Sequence, residues 1–64
     1  MCEANLYVKD GEKEVIFLES VASITPEGND RLFLVDIFGK QQTITAKILE
    51  INLLKHKVII EKIA

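Results

Sequence analysis

Cys2 is the only cysteine among the 64 residues, and it stands one residue from the start of the chain. A thiolate in that place can share a metal ion with the chain's own terminal nitrogen. If Met1 is removed, the amine and the thiolate of a single residue close a five-membered chelate. If Met1 stays, its amine, the Cys2 amide nitrogen and the Cys2 sulfur form two fused five-membered rings. Either set suits a soft, square-planar ion such as Ni(II) or Cu(II). A free cysteine also packs well as a small hydrophobe, so residue type alone leaves a structural Cys2 open beside the ligand reading.

One thiol does not make a closed metal site. Structural zinc centres use four ligands, and this chain offers one Cys and one His. A site built on Cys2 therefore calls for a second copy of the chain, because a two-fold axis turns one cysteine per chain into two facing each other. The expectation is an intersubunit site in a homodimer. His56, between Lys55 and Lys57, reads as a solvated turn residue, whatever the general affinity of imidazole for metals. Glu3 falls on the opposite face of an extended strand from Cys2 and is placed to tune charge. Asp36 has no paired carboxylate at a useful spacing. With no Ser-His-Asp order, Gly-rich phosphate loop or Cys-x-x-Cys, the chain does not read as an enzyme.

The elements that must position Cys2 are strands. Cys2, Ala4, Leu6 and Val8 alternate with Glu3, Asn5, Tyr7 and Lys9, which is the period of a half-buried strand. Asp10-Gly11 signals a hairpin, and a second strand is expected over Lys13 to Glu19. Ser20 to Glu27 reads as a third strand, with Pro26 at its end or edge because proline lacks the ladder donor. A turn over 27–30 leads to a fourth strand, Arg31 to Ile37, whose continuous apolar run predicts burial on both faces. Phe38-Gly39-Lys40 turns the chain again, with Phe38 expected over the core or a dimer surface. Gln42 to Ile48 alternates cleanly, 50–54 continues past a bend or forms one helical turn, and Val58 to Ile63 closes the chain. The expected fold is all-β: a small barrel or sandwich of about six short antiparallel strands, of SH3/Sm-like size and homodimeric, in one domain spanning 1–64.

Composition limits the functions. Hydrophobic residues make up 48% with no tryptophan, which leaves apolar surface for a partner in a chain too short to bury a large core. Ten acidic residues against eight basic give a net charge of −2, and the lysines are scattered, which disfavours a phosphate backbone as ligand. The start has no basic n-region, and no run approaches the ~18 apolar residues of a membrane span. A cytoplasmic protein with a reduced thiol and no membrane partner is expected.

Met1 to Val8, the turn Lys9-Asp10-Gly11-Glu12, the segment Asp36-Ile37-Phe38-Gly39 and the stretch Ile51-Asn52-Leu53-Leu54-Lys55-His56 together resemble the CooT-like nickel-binding proteins along essentially the whole chain. That resemblance implies a small all-β homodimer associated with maturation of nickel-dependent carbon monoxide dehydrogenase, with nickel held through the cysteine of the Met-Cys start, here Cys2. It implies a nickel enzyme or its maturation factors as partner. Nickel itself comes from the resemblance, since raw affinity follows the Irving-Williams order and favours copper. Two other readings stand beside it. A small RNA-binding barrel would use Lys40, Lys47, Lys55 and Lys57 with Tyr7, Phe17, Phe33 or Phe38. A bare dimerisation module would hold a structural Cys2.

Overall fold

The computed structural model describes residues 3–63; Met1, Cys2 and Ala64 lie outside the described residues. Five strands follow one another: β1 (Ala4–Asp10), β2 (Lys13–Glu27), β3 (Arg31–Asp36), β4 (Gln41–Asn52) and β5 (Lys57–Lys62). They pair in sequence order and close into a barrel. The expected six strands are thus five, because Lys13 to Glu19 and Ser20 to Glu27 are one strand of 15 residues. The expected boundary falls at Ser20. Its φ of 57° bends β2 without ending it.

The antiparallel expectation also needs one correction. Successive strands of a meander alternate in direction, so in a set of five the first and last run the same way. Closing the barrel therefore makes β1 and β5 parallel, over Asn5↔Lys57 to Val8↔Ile60. The other four neighbour pairs are antiparallel.

β2 and β4 each serve twice. β2 pairs with β1 up to Ala4↔Val21 and with β3 from Val21↔Asp36 onward. β4 pairs with β3 through Thr45 and with β5 from Ala46 to Asn52, with a register shift between Ile48 and Glu50. The stretch beyond Ile48 is accordingly more strand, past a bend, up to Asn52. Pro26 lies next to the end of β2 and is exposed, as a residue without an N–H requires.

Turn chemistry is local and legible. Gly11-Glu12 joins β1 to β2, and Gly11 takes a φ of 64°, which a two-residue hairpin requires at its first central position. In the β3–β4 turn, one oxygen of Asp36 accepts from Phe38 N at 2.9 Å and Lys40 N at 3.0 Å. Asp36 is therefore a turn former. Phe38 is 87% exposed, so it does not cover the core.

The core is built from alternate residues of all five strands: Leu6, Val21, Leu32, Leu34, Ala46, Val58 and Ile60, with Ala4 and Val8 packed against it. The face read from the alternation of Ala4, Leu6 and Val8 is the inward one. On β3 the apolar run is buried on one face only, through Leu32 and Leu34, while Phe33 and Val35 are half-buried.

Candidate functional site

The residue singled out by the sequence, Cys2, falls outside the described residues. Its neighbour Glu3 is described, and it lines two clefts where the N-terminal end of β1 meets the rest of the barrel. Three hydrogen bonds organise this corner. Asn5 N donates to the His56 carbonyl at 2.8 Å, which ties the β4–β5 turn to β1. Ser20 N donates to Asn5 Oδ1 at 3.1 Å, and Ile37 N donates to the Ser20 carbonyl at 2.9 Å. Asn5 and Ser20 thereby join β1, β2, the β3–β4 turn and the β4–β5 turn at one point. Sequence reading passed over both. A serine held at positive φ is a conformational cost that only the bonds around it explain.

The first cleft is an apolar groove of about 250 Å³, lined by Ala4, Ile24, Ile51, Leu53 and Val58 among others, with Glu3, His56 and Lys57 as its charged or ionisable residues. Ile51 and Leu53 are 56% and 80% exposed, and Leu54 beyond them is 95% exposed. Asn52 holds this tip in shape by accepting from Lys55 N at 3.1 Å through its side-chain oxygen. The second cleft is polar and is lined by Glu3, Asn5, Glu19, Ser20 and His56. Although two carboxylates and an imidazole border it, no group of three or more His, Cys, Asp or Glu side chains among the described residues is arranged to hold a metal. His56 takes a φ of 51° at the end of the turn, the turn role that its flanking lysines suggested.

A charged cluster spans the parallel β1–β5 seam. Lys57 Nζ pairs with Glu14 and lies 4.7 Å from the centroid of the Tyr7 ring. The hydrogen bond between the two side chains holds the Glu14 carboxyl below its usual range and raises the Lys57 ammonium above its own. Elsewhere Lys47 pairs with Glu61 at 3.4 Å, and Lys62 lies 5.0 Å over Phe17. Of the four lysines that an RNA surface would need, Lys47 and Lys57 already face carboxylates. Phe17 packs against the core, and Phe33 is half-buried. The arrangement thus weakens the nucleic-acid reading.

No helix among the described residues is long and apolar enough to cross a membrane. The family model described as CO dehydrogenase accessory protein CooT matches residues 1–61. Among solved structures, the chain is similar to "putative CooT from Carboxydothermus hydrogenoformans", at 36% identity and a TM-score of 0.87, over 98% of this chain and 100% of that one. A search of curated proteins found no match.

Proposed function

The chain belongs to the CooT family of CO dehydrogenase accessory proteins, and on that premise we propose that it carries Ni(II) as cargo for the maturation of that enzyme. Membership makes it an accessory protein and not itself an enzyme. Two chains in a homodimer each supply the Cys2 thiolate, and backbone nitrogens beside the sulfurs complete a planar set around one ion. The reducing cytoplasm is its working compartment, where a lone thiol stays available.

The observation that carries this reading is the family match, joined to the donor count. CO dehydrogenase is a nickel enzyme. The described residues supply no metal-holding cluster, so a soft ion has the single thiol of Cys2 as its strongest donor. A carrier gains from few ligands and an accessible place, because it must give its metal up. Binding releases protons from the thiols and the amide or amine nitrogens, so nickel affinity falls as the solution is acidified.

Native mass spectrometry of untagged, reduced protein with limiting Ni(II) tests the proposal. One nickel per dimer is expected, lost on Cys2→Ser with the β-sheet circular dichroism unchanged. A dimer that ignores nickel, or a Cys2→Ser protein that still binds it tightly, refutes the shared thiolate site.

A further inference from the structure

Asn5 stands at a fault in the β1–β2 register. Between Ala4↔Val21 and Leu6↔Leu18, β1 has that one residue where β2 has two, Glu19 and Ser20. A bulge of this kind leaves its extra residue outside the ladder, and the stranded N–H must be met some other way. Ser20 N donates to Asn5 Oδ1 at 3.1 Å, so a side chain takes the place of a backbone carbonyl. The serine itself is held at a φ of 57°, where an L side chain crowds the backbone. Its carbonyl accepts from Ile37 N at 2.9 Å, which carries the tie on to the β3–β4 turn.

The backbone of Asn5 is bound as well, since its N–H donates to the His56 carbonyl at 2.8 Å. One half-buried residue thus holds β1 to the bend in β2 through its side chain and to the β4–β5 turn through its backbone. Ala4, immediately before it, packs against the core. From Ala4 to Cys2 there are two residue steps of at most about 3.6 Å each. A fixed Asn5 therefore bounds where the thiol can go. An ion shared by two thiolates needs both sulfurs in its coordination sphere, and any backbone left loose at the root of the segment must be ordered on binding, once per subunit. A root fixed beforehand removes that cost.

We infer that Asn5 is a positioning residue for Cys2: its carboxamide oxygen, by holding the Ser20 bulge, fixes the root of the segment that carries the thiol. This rests on the carrier reading above and names the side chain that preorganises its donor. Backbone strain persists only where the surroundings enforce it, and the enforcing bond here lies at the foot of the Cys2 segment. The requirement is an oxygen acceptor two bonds beyond Cβ. Aspartate meets it, whereas serine, whose oxygen is one bond closer, and alanine do not.

The test measures Ni(II) affinity of the full-length, untagged, reduced protein by chelator competition, together with the NMR order parameter of the Glu3 amide in the metal-free protein. Asn5→Ala is expected to lower that order parameter and to weaken nickel binding by about 10-fold or more, with the β-sheet circular dichroism retained. Asn5→Ser gives the same readout if the alanine variant does not fold. Asn5→Asp keeps the acceptor and is expected to stay within about 3-fold of the wild type. Ser20→Gly added to Asn5→Ala supplies a residue that takes the left-handed backbone freely, and is expected to recover most of the lost affinity. A merely structural Asn5 would shift the unfolding midpoint and leave the nickel affinity of the folded protein at its wild-type value. That result overturns the inference, as does an unchanged Glu3 order parameter or an Asn5→Asp protein as weak as Asn5→Ala. A wild-type protein that binds no nickel, while Asn5→Ala still loosens Glu3, refutes the carrier reading alone.

Discussion

At the scale of single residues, three polar side chains shape turns and a bend by accepting from backbone N–H groups. Asp36 caps two N–H groups of its own turn, Asn52 caps one, and Asn5 caps the bend at Ser20. Asp36→Ala removes both acceptor contacts in the β3–β4 turn and is expected to lower stability by about 1 kcal/mol, read as a shifted urea midpoint with an unchanged slope. His56→Ala is expected to leave nickel affinity essentially unchanged, since the residue's defining feature is its backbone conformation. A measured loss of affinity comparable to that of Cys2→Ser would make it a ligand. The turn roles of Asp36 and His56 were legible because turn signals lie in neighbouring residues. Those of Asn5 and Ser20 were not, since Asn5 Oδ1 reaches a residue 15 positions away.

At the scale of elements, β2 shows how a strand can be misdivided. Its first half holds the continuous apolar run Val15 to Leu18 and its second is sparser in apolar residues, while the Ser20 bend and the shift after Val21 turn the strand without ending it. Ser20→Gly relieves the left-handed backbone and is expected to stabilise the fold by about 0.5–1 kcal/mol, whereas Ser20→Val is expected to destabilise it by more than that. Thermal unfolding of the pair checks this, and equal midpoints would remove the bend as a point of strain. The Glu14–Lys57 pair joins β2 to β5 across β1. Glu14 is held below its usual range, so its contribution is complete above the ordinary carboxylate range and is lost as pH falls through the lowered value. Lys57 is raised, so its contribution is complete below its ordinary range and is lost as pH rises through the raised value. Glu14→Gln is therefore expected to flatten the acid side of the pH-stability profile and leave the neutral plateau's shape intact.

At the scale of the whole molecule, a barrel this small depends on few side chains. Leu6, Leu34 and Ile60 are the largest fully buried ones. Leu34→Ala is expected to cost about 2–5 kcal/mol, a large share of what a small domain possesses, with midpoint loss in chemical unfolding as the measure. By itself the sequence determined the all-β class, the inward face of β1, the positions of the turns and the lone thiol, because alternation, glycine placement and residue chemistry are properties of neighbouring residues. Only the tertiary structure decided that five strands close with one parallel seam, since closure depends on the parity of the strand count. Likewise, the groove beside Glu3 draws its walls from β1, β2, β4 and β5. Such features arise from which strands meet, and no periodicity within one strand encodes its neighbours.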